Sequence, residues 1–235
     1  MPSSTQLTSE SPFTPQVRKA MSDLEIALPV PGNNLDQDEE WVLAEVDDEW
    51  TKIRLHDYGD VYAVPGLYEK WIYDVFQCCS PQVIRELLSS AIEAAGIDPT
   101  SLTVLDLGAG NGCVAEELQL IDIHRYVGLD IVPEAETAAE RDRPGLYTDY
   151  VIGDLTQLPA EKQGVLDRYS FNCLACVAAL GFGDIPPEVF AAAYNRIEDG
   201  GFIAFTIKTL FVDDDDPSGF SLLIHKMIEE GSLEI

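Results

Sequence analysis

Five short apolar runs mark the second half of the chain, near residues 103–107, 126–130, 150–153, 171–177 and 202–207. Their length and composition suit strands buried on both faces of a sheet. Helical segments separate them. One predicted helix follows Ser80-Pro81, an N-cap with proline at the first helical position, and runs to about Ala95, where Gly96 ends it. A second spans Cys113 to Leu120, and a third starts in Ile185-Pro186-Pro187-Glu188, runs through Arg196 and turns at Asp199-Gly200-Gly201 into the last strand. This alternation predicts an α/β fold: a doubly wound, mostly parallel sheet with helices on both faces.

The first third of the chain has a different texture. Residues 1–16 are rich in Ser, Thr and Pro and are expected to be a disordered tail. Residues 17–79 form an accessory segment in this reading, with a β-hairpin from Trp41 to Leu55 around Asp47-Asp48-Glu49 and an aromatic-rich stretch over 56–73. Residues 80–235 then make the main domain.

The densest chemical signal is Val-Leu-Asp-Leu-Gly-Ala-Gly-Asn-Gly at 104–112. A buried strand runs into Gly108, Gly110 and Gly112, whose missing Cβ atoms and tolerance of positive φ let a ligand approach the main chain. The helix that follows points its N-terminal amides at that ligand, which suits a carboxylate or phosphate. Cys113 stands where the dinucleotide fingerprint wants its third glycine. Two further strands end in carboxylates: Tyr-Val-Gly-Leu-Asp puts Asp130 at the distance expected for a ribose ligand, and Tyr-Val-Ile-Gly-Asp puts Asp154 where it can accept from an exocyclic amine.

With these three motifs in order, the chain resembles the class I S-adenosylmethionine-dependent methyltransferases over roughly residues 80–230. The resemblance implies a Rossmann-like fold and S-adenosyl-L-methionine as cofactor. In that frame Asp106 and the turn of Gly108, Ala109, Gly110 and Gly112 hold the methionine end, Asp130 holds the ribose, Ile131 covers the base, and Asp154 with Leu155 meets the adenine. Val177 and Tyr68 complete the cofactor-contacting set. The acceptor pocket is expected between 172–184 and 56–73, with Tyr58, Tyr62, Tyr68 and Trp71 as an aromatic lid over the sulfonium and Asp184 or His56 as the proton acceptor. The run Cys176-Val-Ala-Ala-Leu-Gly-Phe-Gly-Asp184 lacks the Asn/Asp-Pro-Pro-Tyr motif that holds planar amide or adenine nitrogens. The family's closing antiparallel hairpin is not visible before Ile235, so an open sheet edge is expected, inviting homo-oligomers. Two other classes share part of the signal. A nicotinamide-dependent oxidoreductase would use the glycine turn and Asp130 but gains nothing from Asp154, and a non-catalytic cofactor-binding or assembly protein would need only the binding site.

Composition narrows the partners. With 14 basic against 42 acidic residues and a net charge of -28, the surface repels nucleic acid and anionic membranes, leaving a small-molecule acceptor as the expected partner. No secretory signal is visible and the longest uncharged run, Ser170 to Gly183, is short of the roughly 20 residues of a bilayer span, so a cytoplasmic enzyme is expected. Five cysteines suggest buried thiols rather than disulfides, and Cys173-x-x-Cys176 would face opposite sides of a strand. His56, His124 and His225 are scattered, and Asp213 to Asp216 read as a solvated run, so no metal site is expected.

Overall fold

The computed structural model describes residues 13–29, 40–181, 184–213 and 215–234. The accessory layer comprises α1 (Pro15–Asp23), β1 (Ile26–Ala27), β2 (Trp41–Val46), β3 (Glu49–Arg54), α2 (Tyr58–Ala63) and α3 (Leu67–Glu69), which runs on into a wider helical turn over Lys70–Val75. Asp47 and Asp48 both take positive φ, the backbone of a tight two-residue hairpin turn, and β2 pairs with β3 from Trp41↔Arg54 to Val46↔Glu49. Val42 and Ala44 alternate onto the inner face with Ile53, and Leu24, Leu67 and Trp71 close over them as a separate small core. The tail expected to be disordered through residue 16 is already helical at Pro15. Thr14 Oγ1 accepts from the Val17 amide and Pro15 opens the helix, a Thr-Pro start signal hidden in a polar composition. Residues 1–12 of that tail lie outside the described residues.

The main domain follows as α4 (Ser80–Ala95), β4 (Val104–Leu107), α5 (Cys113–Gln119), β5 (Tyr126–Asp130), α6 (Pro133–Asp142), β6 (Asp149–Ile152), α7 (Ala160–Leu166), β7 (Phe171–Cys176), α8 (Pro187–Tyr194), β8 (Ile197–Phe205) and α9 (Phe220–Glu229). Its sheet has the order β6-β5-β4-β7-β8 with every pairing parallel. Because neighbouring side chains on a strand point to opposite faces, Leu105 joins a core with Leu129, Leu174 and Phe190, while Val104 joins another with Ile92, Leu118 and Tyr126. Cys173 and Cys176 fall into these two different cores, as the strand period requires. The strand order reverses between β4 and β7, and that reversal opens a crevice at the carboxyl ends of the strands.

Three boundaries differ from the sequence expectation. The residue capping α4 is Cys79, and Ser80 sits inside the first turn with its hydroxyl accepting from Cys78 Sγ. α8 stops at Tyr194, and β8 starts at Ile197 rather than near 202: Gly200 takes φ +78 and the pairing with β7 shifts register between Phe171 and Cys173, so the strand passes through the expected turn as a bulge. β8 forms one edge of the sheet. Beyond it, Asp216 accepts from the amides of Ser218 and Ser221, fastening the acidic loop to the start of α9; Asp214 lies outside the described residues. Among the described residues no group of His, Cys, Asp and Glu is arranged to hold a metal ion, and no helix is long and apolar enough to cross a membrane.

Candidate active site

A cavity of about 290 Å³ lies in the crevice above β4 and β5. Leu107, Gly108, Leu129 and Asp130 form its floor, Ile131, Asp154 and Leu155 one side, and Val177, Ile185 and Val189 another. Tyr58, Tyr62 and Tyr68 from α2 and α3 form the roof. The rings of Tyr58 and Tyr62 stack at 6.1 Å and those of Tyr62 and Tyr68 tilt together at 5.5 Å. Burial holds all three hydroxyls well above the usual tyrosine range, so they stay neutral. A mostly apolar chamber with three carboxylates, Asp130, Asp154 and Asp184, and a neutral aromatic roof has the character of a nucleoside site.

Asp130 and Asp154 are already oriented by the protein. Asp130 Oδ2 accepts from the Gly110 amide at 2.8 Å and Oδ1 from the Val132 amide at 2.9 Å. Burial raises its pKa and these amides pull it back. The Ile131 amide also pulls it down, and of the roughly four acceptor sites of a carboxylate, capacity remains for a hydroxyl donor. Asp154 is held by the Thr156 amide, the Thr156 hydroxyl and Gln157 Nε2, and the Thr156 contacts lower its pKa, so it stays ionised.

The glycine turn is braced from behind. Tyr150 Oη donates to the Gly110 carbonyl at 2.6 Å, and Tyr147 Oη donates to Asp106 Oδ2 at 2.7 Å. Asp106 is buried with Oδ1 unpartnered, and burial pushes its pKa up to about 7 although the Tyr147 hydroxyl opposes the shift. Beside it lies a buried charge network that ties the accessory layer to the turn. Glu69 Oε1 accepts from Asn111 Nδ2 at 2.7 Å and Arg143 Nη1 at 2.9 Å; Arg143 also donates to Glu116 and to the Asn111 carbonyl. Thr14 adds its amide to Glu116, and Arg141 reaches the Tyr62 carbonyl.

Several residues assigned to the cofactor by resemblance do not line the cavity. Asp106 lies beneath the turn, and Ala109 is buried with its amide on the Leu129 carbonyl. Gly110 is roofed by Tyr62, whose hydroxyl stands where a Cβ on Gly110 would go, so its missing side chain makes room for a tyrosine of the same chain. A Cβ on Gly112 would meet Leu146, Arg143 and Tyr147 on the far side. Trp71 is corrected from lid to core: it is buried against Leu24, Val42 and Leu67 and lies outside the cavity. Sequence reasoning missed Tyr147, Tyr150, Glu69 and Arg143. One signal was present for Tyr150: Gly128 is a glycine inside a buried strand, and a Cβ there would come within 2.6 Å of the Tyr150 ring. Glu69 and Arg143 are 74 positions apart, and no local pattern pairs them.

A second, larger cavity of about 680 Å³ adjoins the first and shares Tyr58, Tyr68, Ala178, Ala179 and Asp184 with it. It runs between 55–80 and 178–208 along Leu55, Ile72, Phe76 and Ile207, with Glu40, His56, Cys78 and Lys208 among its charged or titratable lining. The two candidate proton acceptors meet at the junction: His56 Nδ1 lies 4.0 Å from Asp184 Oδ2, and the His56 ring stands edge-on to Tyr58. Burial raises the Asp184 pKa and His56 opposes the rise. Phe182 and Gly183, in the same loop, lie outside the described residues.

Comparison with known proteins bears on this geometry. Residues 105–205 match the family model described as a methyltransferase domain. No curated protein sequence matches the chain significantly. Among solved structures it is similar to an S-adenosylmethionine-bound amino pentose methyltransferase of calicheamicin biosynthesis from Micromonospora echinaspora, with 21% identity over 54% of this chain and 50% of that one at a TM-score of 0.40. It is also similar to Aeropyrum pernix fibrillarin with natively bound S-adenosyl-L-methionine, with 20% identity over 64% and 66% at 0.41, and to a Methanococcus maripaludis protein described as a putative S-adenosyl-L-methionine-dependent methyltransferase, with 16% over 69% and 70% at 0.41. The chain spans 50%, 56% and 52% of three of the solved chains it matches, about half of each. The matched segment contains the glycine turn, both strand-end carboxylates and the sheet that carries them, and over residues 105–205 the chain is similar to a methyltransferase domain.

Proposed function

We propose that this protein transfers a methyl group from S-adenosyl-L-methionine to a small-molecule acceptor. The observation that carries the reading is the pair of adjoining cavities, one with a nucleoside-like lining and one large enough for a second molecule, meeting at Tyr58, Tyr68 and Asp184. The cofactor supplies a methyl group already activated on a sulfonium, so the protein's part is to position the acceptor, exclude water and remove a proton where the acceptor carries one. Asp130 holds the ribose hydroxyls through its remaining acceptor capacity, Asp154 and Leu155 receive the adenine, and Ile131 covers it. Leu107 and Gly108 carry the methionine end under the tyrosine roof, whose aromatic faces favour the sulfonium. Asp184, with His56 beside it, takes the acceptor's proton at the junction. The five free thiols suit the reducing cytoplasm expected from the sequence.

Calorimetry with S-adenosylmethionine, S-adenosylhomocysteine and NAD in turn tests the reading, and equal or tighter NAD binding refutes it. Asp130→Ala should weaken cofactor binding by roughly 1–3 kcal/mol, the cost of removing a charged acceptor from an enclosed site. An unchanged dissociation constant in the folded variant would mean that the ribose lies elsewhere.

A further inference from the structure

We propose that the acceptor is a protonated amine on an apolar, ring-sized body, seated in the second cavity with its nitrogen between Tyr58, Tyr68 and Asp184. This rests on the methyl-transfer reading and names its substrate class. The cavity's described wall divides by chemistry. Leu55, Ile72, Phe76 and Ile207 make an apolar flank suited to a carbon skeleton, while Asp184 at the junction and Glu40 contribute two carboxylates. His56, Lys208 and the Cys78 thiol also line this space, so among its lining residues the two carboxylates outnumber the one permanent cation. Tyr58 and Tyr68, both neutral, line the junction, and aromatic rings attract a cation to their faces. The net charge of -28 extends the same preference outward, drawing cations toward the protein and repelling carboxylates and phosphates. A neutral hydroxyl would gain from neither the carboxylates nor the long-range field, and an anion would oppose both.

The chemistry balances with the groups present. The ammonium gives one proton to the Asp184 carboxylate, 4.0 Å from His56, which frees the nitrogen lone pair. The new N–CH3 bond forms as the S–CH3 bond breaks, the bonding pair stays on sulfur, and the sulfonium becomes a neutral thioether. The methylated nitrogen leaves as an ammonium of unchanged charge, and the proton on Asp184 passes to water.

Three probes of one shape and different charge test the proposal: benzylamine, benzyl alcohol and benzoate, titrated at neutral pH into wild-type protein saturated with S-adenosylhomocysteine. The expected result is that benzylamine binds about tenfold or more tightly than the alcohol and that benzoate binds least, a preference worth about 1.4 kcal/mol. Glu40→Gln should shrink that preference several-fold while leaving S-adenosylhomocysteine affinity and benzyl alcohol affinity unchanged. Equal binding of amine and alcohol, tighter benzoate binding, or no binding of any probe to the cofactor-loaded protein overturns the amine proposal. So does a preference that survives in both Glu40→Gln and Asp184→Asn. Failure of S-adenosylhomocysteine itself to bind overturns the underlying methyl-transfer reading instead.

Discussion

Removing the Glu69 carboxylate probes how the accessory layer holds the glycine turn. Glu69 is 1% exposed and accepts from both Asn111 Nδ2 and Arg143 Nη1, while Arg143 is 3% exposed and keeps Glu116 at 2.8 Å. Breaking a buried ion pair from one side costs about 3–5 kcal/mol, because the remaining charge stays desolvated. The surviving Glu116 contact places Glu69→Ala at the lower end, about 3 kcal/mol. In a chain of this size each kcal/mol moves the thermal midpoint by roughly 2–4 °C, so a fall of roughly 6–12 °C is expected. Glu69→Gln keeps an acceptor oxygen for Asn111 and Arg143 and should lose less. Because Asn111 is part of the glycine turn, Glu69→Ala should also weaken cofactor binding in protein held below its melting range. Thermal unfolding by circular dichroism and calorimetric titration with S-adenosylhomocysteine supply the two readouts. A midpoint within about 2 °C of wild type would refute the energetic argument, and an unchanged dissociation constant would show that the network braces the fold without reaching the site.

Two further outcomes follow from the same geometry. Asp106 is raised from 3.8 to about 7, so the folded protein holds a proton that the unfolded chain releases; stability from this group is complete below about pH 4 and is lost as pH rises to about 7. Asp106→Asn should remove that slope and raise stability above pH 7 by on the order of 4 kcal/mol relative to wild type, and parallel pH profiles for the two proteins would rule this out. Tyr68 and Trp71 should separate roof from core: Trp71→Ala should cost about 3–5 kcal/mol of stability while leaving cofactor affinity nearly unchanged, whereas Tyr68→Ala should weaken cofactor binding. The reverse pattern in unfolding and binding measurements would mean that the boundary between roof and core is misplaced.

Much of the framework is legible in the chain because it is local. The apolar runs that become β4, β5, β6 and β7 are too short for helices, and glycine or a carboxylate stands at the ends of the first three, so the alternation that builds the parallel sheet is legible in the chain. The hairpin around Asp47-Asp48 is likewise a property of two adjacent residues and their flanking runs. Boundaries at β8 were less legible, since a glycine pair that reads as a turn also fits a bulge once a neighbouring strand supplies the pairing. The division of the aromatic stretch was decided in three dimensions: Tyr58, Tyr62 and Tyr68 face the crevice while Trp71 turns into the accessory core. The same holds for Gly110, whose missing Cβ accommodates Tyr62, and for the meeting of His56 with Asp184 across 128 positions of chain. Period and turn chemistry are written in neighbouring residues, whereas a buried charge finds its partner, and a ring its face, only when distant segments pack and water is excluded between them.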